Sequence, residues 1–212
     1  MRATIISQAR IYPLLYAGIL VLPVCFIYID RVFMQFMESK VKTIPVISVF
    51  LSKTEPIVDF LGYGANQMLV ALFIVLIGMR FNKDMYLLGR DVCISLLSCG
   101  VIVQTIKHTI GRARPRITDS FELSGPGFKA GHDSFPSGHT AGAFCIAYIL
   151  AQRYPKYSVV FYVVAIFVGF ERISDGAHFP SDTIAGAFIG IYIAKYILSR
   201  FKLKENKENS SN

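Results

Sequence analysis

The sequence predicts an all-α polytopic membrane protein with six transmembrane helices. Of its 212 residues, 53% are hydrophobic and only 17% are charged, whereas soluble domains average roughly 45 to 50% apolar and about 25% charged residues. The mean hydropathy is +0.49, and apolar runs recur along the whole chain. Because each crossing takes about 20 residues, this composition excludes a water-soluble globule and leaves no room for a separate soluble domain.

The apolar runs define the candidate spans in order. They cover residues 11–29, 63–79, 92–106, 140–151, 158–170 and 183–198. Several are shorter than a full crossing, so the polar residues that flank them must lie at the interfaces or inside the bundle. The first run is too long for the apolar core of a signal peptide and lacks a small-residue cleavage site, so we predict a retained span. Function is expected at the polar ends of the third to sixth spans.

The distribution of positive charge predicts the orientation. With the N-terminus in the cytoplasm, the inner segments hold eleven of the 22 Lys and Arg residues but only four acidic residues. Cytoplasmic loops of membrane proteins carry such an excess, so both termini are predicted to be cytoplasmic. This excess accounts for much of the net charge of +8, and we expect no nucleic-acid partner. The predicted location is the inner or plasma membrane, with the ends of spans three to six on the outer, periplasmic side.

The remaining segments indicate one membrane domain over residues 1–212. Residues 31–61 mix apolar side chains with isolated charges at spacings of three and four, which predicts one or two short amphipathic helices at the outer interface. Residues 204–212 are charged and polar without apolar periodicity, so a disordered tail is predicted. Small residues within the spans predict close helix packing, and the four cysteines, which have no metal-ligand spacing, predict buried apolar positions. These residues are Gly186 and Gly190, then Ala143, Ala147 and Ala151, and then Cys25, Cys93, Cys99 and Cys145.

A second group of cations lies on the predicted outer side, where the topology rule does not require positive charge. All four histidines of the chain lie close to this group in the sequence. Cations gathered in a low-dielectric pocket without a counter-ion are costly, so an anion is expected there. The cations are Lys107, Arg112, Arg114, Arg116, Lys129 and Arg172, and the histidines are His108, His132, His139 and His178.

Two stretches predict a phosphate cradle. Lys107 ends span three and Pro115 stops any helix just after Arg114, so a point charge and a planar fork can approach one tetrahedral anion from different directions. Ser137 follows a proline and precedes the fourth span, which predicts a helix N-cap. Gly138 lets the backbone come close to an anion at the helix start, with His139 beside it.

A third stretch predicts an activated histidine. Pro180 suits the first turn of the sixth span. Asp182 follows His178 by about one turn and could accept a proton from one ring nitrogen, which leaves the other nitrogen as a nucleophile. His108 is expected to be peripheral. His132 and Asp133 could contact a headgroup, and Arg112 and Arg116 could either meet lipid phosphates or belong to a solvated loop.

These three stretches together resemble the signature of the type 2 phosphatidic acid phosphatase superfamily, written KxxxxxxRP, PSGH and SRxxxxxHxxxD. The first is matched by Lys107 and Arg114-Pro115, the second by residues 136–139, and the third by Arg172, His178 and Asp182. The resemblance covers about residues 107–190. The chain departs from the pattern at Glu171, where the family usually has serine, so the structure beside Arg172 is left open.

The resemblance implies a phosphatase that needs no metal and no cofactor. In that scheme His178 attacks phosphorus to form a phosphohistidine, Asp182 orients it, and His139 protonates the leaving oxygen and then activates water. Phosphate oxygens are bound by Lys107, Arg114, Arg172 and the backbone at Ser137 and Gly138.

The resemblance leaves the substrate open. A membrane body favours a lipid phosphate at the bilayer surface, and the candidates are polyprenyl diphosphate, phosphatidylglycerol phosphate, phosphatidic acid and a lipid A-type phosphate. Other members of the superfamily are haloperoxidases, which hold vanadate in the same cradle. From a different class, a non-catalytic phosphate-lipid binding or transport protein could use the same pocket. The sequence does not predict an oligomeric state.

Overall fold

The protein is described by a computed structural model that covers residues 28–118 and 122–211, with side chains placed through residue 201 and at residue 203. This part of the chain is mainly helical and contains no β-strand, only one isolated bridge between Arg112 and Leu123. The all-α prediction is therefore confirmed for the described residues. The helices are α1 (Asp30–Phe36), which continues as a π-helix over Met37–Val41, α2 (Pro45–Gly62), α3 (Gly64–Phe81), α4 (Lys83–Ile110), α5 (Gly138–Arg153), α6 (Ser158–Ser174) and α7 (Pro180–Ser211).

Within the described residues, four helical segments are long and apolar enough to cross a membrane, namely α3, α4, α6 together with the 3-10 turn before it (Pro155–Ser174), and the first 22 residues of α7 (Pro180–Phe201). The predicted fourth span forms α5, whose 16 residues are fewer than the about 20 of a typical crossing. This helix packs against α4, α6 and α7. Most of the predicted first span, residues 11–27, lies outside the described residues. The structure thus supports four candidate spans, and the number six stays a prediction.

Local signals in the sequence set the ends of the helices. The side chain of Asn82 accepts hydrogen bonds from the N–H groups of Asp84 and Met85 at the start of α4, which satisfies donors that have no partner within the helix. The same helix ends at Gly111, whose φ of 62° is left-handed and suits glycine. The predicted N-cap at Ser137 is confirmed, since its Oγ accepts from Thr140 N at 3.4 Å.

Glycines bring α7 into backbone contact with α5, as the sequence predicts. A Cβ on Gly190 would lie 2.2 Å from the carbonyl oxygen of Ala141 and 2.9 Å from the N of Cys145, and one on Gly186 would lie 2.5 Å from the carbonyl oxygen of Ser137. These distances leave no space for a side chain. The close approach joins the starts of the two helices, where Ser137 N donates to the Asp182 carbonyl oxygen at 3.0 Å.

The segments outside the long helices agree in part with the sequence. Residues 31–61 form two helices, α1 with its π-helical extension and α2, as predicted. Many apolar side chains of α2 are exposed, which suits the interfacial position that the sequence predicts. The backbone of 204–211 continues α7, which differs from the predicted disordered tail. This stretch is rich in Lys and Glu, which favour helix.

Three of the four cysteines lie in the core. Cys93, Cys99 and Cys145 are buried free thiols, and each belongs to an apolar cluster between the helices. Their prediction as buried apolar residues is confirmed. Cys25 lies outside the described residues.

We predict that Gly190→Ala lowers the stability of the protein, because the new methyl group must push the α5 and α7 backbones apart. The expected loss is about 1–3 kcal/mol, seen as a lower Tm in thermal unfolding of the protein in detergent micelles. The matched control is Gly100→Ala in α4, where an added Cβ has no atom within 4 Å. That change should leave stability unchanged or raise it by about 1 kcal/mol, and equal Tm values for the two variants would contradict the packing account.

Candidate functional site

Four helix ends meet around one cavity of about 780 Å³. They are the end of α4, the start of α5, the end of α6 and the start of α7 with the loop before it. The cavity is lined by most of the site residues that the sequence predicts, while Ser137 and Asp182 are fully buried and do not line it. The predicted residues that line it are Lys107, Arg114, Gly138, His139, Arg172 and His178.

The last turn of α4 and the loop after it present a cationic wall. The buried Lys107 donates from Nζ to the carbonyl oxygen of Asp133. The Arg114 guanidinium donates from Nε and Nη2 to the two carboxylate oxygens of Asp133, at 2.9 and 2.7 Å. Burial raises the pKa of Asp133, but the hydrogen bonds and charge of Arg114 outweigh this and lower it below its usual value. Asp133 is therefore a carboxylate at neutral pH, and it fixes the plane of the Arg114 fork.

The start of α5 presents His139 to the cavity. Its Nε2 lies 3.2 Å from Oδ1 of Asp59, a carboxylate of α2. The Cβ that Gly62 lacks would be 2.5 Å from Cδ2 of this ring, so α2 lies directly against His139. The expected phosphate contact of the Ser137 backbone needs correction, because that N–H already donates to the carbonyl of Asp182. Ser137 caps the helix and joins it to α7, and Gly138 lines the cavity.

His178 and Asp182 are close but not hydrogen-bonded in the structure. Nδ1 of His178 lies 3.8 Å from Oδ2 of Asp182, which is beyond hydrogen-bonding distance. That oxygen accepts instead from the Ser134 hydroxyl at 2.5 Å and from Phe179 N at 2.8 Å. The predicted hydrogen bond is therefore not formed in this arrangement, although such contacts often shorten only when substrate binds. Burial lowers the pKa of His178, so its imidazole is neutral at neutral pH.

Arg172 is held by two carboxylates. Its Nε donates to Oε2 of Glu171 at 2.8 Å, and its Nη1 donates to Oδ1 of Asp59 at 2.7 Å. Glu171 is itself buried, with 1% of its surface exposed. At the position where the family pattern has serine, this chain therefore supplies a charged partner for the arginine. Asp59 Oδ1 joins Arg172 to His139.

Sequence reasoning missed the role of Arg112. It is neither solvated nor placed against lipid, because only 2% of its surface is exposed. It forms ion pairs with Asp182 of α7 and Asp30 of α1. Asp30 and Asp59 were missed because they lie far from the three motifs in sequence. The signal that could have flagged Asp30 is its position in the chain, where it directly follows a long apolar run.

The other residues that the sequence predicts on the outer side lie away from this cavity. The His108 ring stacks on Phe128 with centroids 4.3 Å apart, which agrees with its expected peripheral position. The buried His132 contacts Glu122 through Nε2 at 3.0 Å and does not line the cavity, unlike its neighbour Asp133. Arg116 is exposed and lines a separate cavity beside α1.

The cavity continues from the polar wall along the apolar faces of α3 and α4. Met68, Leu96, Leu97 and Val103 line this part, and Gln67 is the buried polar side chain among them. A site of this kind can hold an anion at one end and an apolar chain along the other. Across residues 28–118 and 122–211, no cluster of three or more His, Cys, Asp or Glu side chains is arranged to bind a metal ion.

Comparisons with known proteins agree on one family. The model of the PAP2 superfamily matches residues 88–205. A lipid A 1-phosphatase of Rhizobium johnstonii is 37% identical over 112 residues, which is 50% of this chain and 45% of the relative. The chain therefore spans less than half the length of that curated relative.

Two solved structures share the fold. The crystal structure of Aquifex aeolicus LpxE superposes with a TM-score of 0.61 and 26% identity, covering 80% of this chain and 94% of the other. A transmembrane PAP2-type phosphatidylglycerolphosphate phosphatase from Bacillus subtilis superposes with a TM-score of 0.59 at 19% identity, covering 91% and 96%. The family match includes all three motifs and the four helix ends that form the cavity, and the chain belongs to the PAP2 superfamily.

Proposed function

We propose that the protein is a membrane lipid phosphatase that removes phosphate from a lipid headgroup through a phosphohistidine on His178. The observation that carries this proposal is the single cavity in which two histidines and three cations meet an apolar groove. A phosphate ester with a hydrocarbon tail fits both halves of such a site. Among the relatives, the names of the lipid A 1-phosphatases support a lipid phosphate as substrate.

The first step is attack on phosphorus by His178. Its pKa is lowered by burial, so the ring is neutral and carries a lone pair. Nδ1 faces Asp182, which leaves Nε2 to form the N–P bond while the bond from phosphorus to the leaving oxygen breaks. His139 gives its proton to that oxygen, and then removes a proton from the water that hydrolyses the phosphohistidine. Asp182 stabilises the positive charge that the His178 ring acquires.

The cations of the cavity stabilise the charge on the phosphoryl oxygens. Lys107 and Arg114 approach from the α4 side and Arg172 from the α6 side, with the Gly138 backbone at the start of α5. Asp59 accepts a hydrogen bond from Nη1 of Arg172, and phosphate binding replaces that carboxylate. Metal ions have no part in this scheme, since guanidinium and ammonium groups supply the positive charge that phosphoryl transfer requires.

The apolar groove and the charge distribution support a reaction at a bilayer surface. The site lies at the end of the bundle opposite Arg80, Lys83, Arg153 and Lys156, which belong to the cation-rich side of the protein. We assign that side to the cytoplasm, so the protein is a multi-pass protein of the inner or plasma membrane with its site on the outer, periplasmic face. The headgroup remains open among lipid A-type phosphate, polyprenyl diphosphate, phosphatidylglycerol phosphate and phosphatidic acid.

Purified protein in detergent micelles is expected to release phosphate from at least one of these four lipids without added divalent metal and in the presence of a chelator. His178→Ala should abolish release, and His139→Ala should slow it about 100- to 10,000-fold. The matched control is His108→Ala, whose ring lies outside the cavity and whose loss should leave the rate within about threefold. Phosphate-lipid binding without release would support the binding or transport alternative, and release that persists in His178→Ala would overturn the mechanism.

The rate should also depend on the protonation of His178. Since burial lowers the pKa of this group and attack needs the neutral ring, kcat/KM should fall with decreasing pH around a midpoint below the ordinary histidine value of about 6.5. Initial rates from about pH 4 to pH 9 for a monophosphate and a diphosphate lipid test this. If the midpoint differs between the two substrates and matches the pKa of each phosphate group, the fall in rate comes from the substrate and not from His178.

The orientation is tested separately with topology reporters. A reporter fused after Asn212 should report a cytoplasmic location, and cysteines placed at the exposed positions Lys129 and Lys156 should react with a membrane-impermeant thiol reagent from outside and inside, respectively. Each substitution serves as the control for the other. Labelling of position 156 from outside intact cells would reverse the orientation and place the site in the cytoplasm.

A further inference from the structure

Behind the cavity, a buried chain of charges reaches the histidine that the proposed function makes the nucleophile. Arg112 lies at its centre. Its Nη1 contacts Oδ1 of Asp182, and its Nη2 donates to Oδ2 of Asp30 at 2.7 Å. No more than 3% of any of these three side chains is exposed. The guanidinium also lies over the ring of Phe179, 4.1 Å from its centroid, so the arginine is enclosed on several sides.

This chain fixes both oxygens of Asp182. Oδ1 pairs with Arg112, while Oδ2 accepts from Ser134 and Phe179 N and lies 3.8 Å from Nδ1 of His178. A carboxylate with both oxygens anchored cannot rotate away from the imidazole. Arg112 therefore determines which oxygen faces the ring.

Asp30 fixes the arginine in turn. Its Oδ1 accepts from Ser181 N at 2.9 Å, its Oδ2 accepts from the Ser181 hydroxyl, and that hydroxyl accepts from Nη1 of Arg112 at 2.7 Å. Asp30 thus connects α1 to Ser181 in the first turn of α7, three residues after His178. It lies outside residues 88–205, which the family model matches.

The charges of the chain also act on His178. Asp182 alone would hold a proton on the ring strongly, Arg112 weakens that attraction, and Asp30 partly offsets Arg112 in a site where water does not screen them. We infer that Arg112 and Asp30 are positioning residues that orient Asp182 and adjust, in opposite directions, how readily His178 takes a proton. This inference rests on the proposed function. The other charged or titratable groups that line the cavity with His178 are Lys107, Arg114, Asp133, His139 and Arg172, with Asp59 behind His139.

The test is the pH dependence of kcat and KM for lipid phosphate hydrolysis in three variants. The acid limb is the fall of kcat/KM with decreasing pH that the protonation of His178 causes. Arg112→Gln removes a positive charge near Asp182, so the midpoint of this limb should move to higher pH, by about one unit. Asp30→Asn removes a negative charge and should move the limb to lower pH. The double variant should return close to the wild-type midpoint. In each single variant kcat should fall at least about tenfold with KM within about threefold, because the cavity cations remain.

A further variant separates charge from geometry. Arg112→Lys keeps the charge but loses the fork, so its midpoint should stay at the wild-type pH while its kcat falls. If Arg112→Gln does not fold, as judged by gel filtration in detergent, the shift of the midpoint to lower pH in Asp30→Asn still tests the effect of charge, and the lower kcat of Arg112→Lys still tests the effect of geometry. An acid limb that stays at the wild-type pH in Arg112→Gln or Asp30→Asn, or that moves in the same direction in both, would overturn the inference. Wild-type protein without phosphatase activity would instead refute the proposed function, so the two failures differ.

Discussion

The site end of the bundle depends on the pairing of buried guanidinium groups with carboxylates. A guanidinium removed from water is strongly unfavourable unless a negative charge and hydrogen bonds compensate it. Arg114 has Asp133, Arg172 has Glu171 and Asp59, and Arg112 has Asp30 and Asp182. Asp59, Asp30 and Asp182 lie on other segments than the arginines they pair with, so satisfying these charges also fixes the relative positions of the segments.

The same pairing explains how the cavity remains ready for an anion. The carboxylates hold the arginines in defined orientations, and under the proposed function phosphate takes the place of the Asp59 carboxylate beside Arg172. Asp59 is the most accessible of these partners, with 57% of its side chain exposed, and it touches both Arg172 and His139. An incoming phosphate can replace it at little cost in packing, whereas Asp182 and Glu171 are buried and stay in place.

Helix packing puts these groups at one end of the molecule. Gly186 and Gly190 let α7 approach the backbone of α5, and the contact between Ser137 and Asp182 joins the starts of the two helices. The chemistry therefore depends on small residues in the apolar interior, where a single added methyl group would separate the groups that the loops bring together. The four helix ends act as a unit only because the helices below them are in close contact.

Much of this arrangement could be predicted because it is encoded locally. The all-α fold, the cap at Ser137, the start of α7 at Pro180 and the convergence of His139 and His178 on one cavity follow from apolar runs and short motifs. Asp30, Asp59 and the buried state of Arg112 could not be predicted, because they depend on contacts between residues 69 to 151 positions apart. The position of α5 could not be predicted for the same reason. Its apolar run predicts a helix but does not show that this helix packs against α4, α6 and α7.

The central claim is that this charge-paired cradle presents His178 to phosphorus, and trapping the covalent intermediate tests it most directly. The protein is mixed with a lipid phosphate labelled with ³²P, and the reaction is stopped rapidly without acid. His178 should then carry the label, with up to one phosphoryl group per chain. The label should be stable in base and lost in acid. Turnover without any covalent label, or an equal label in His178→Ala, would contradict the account.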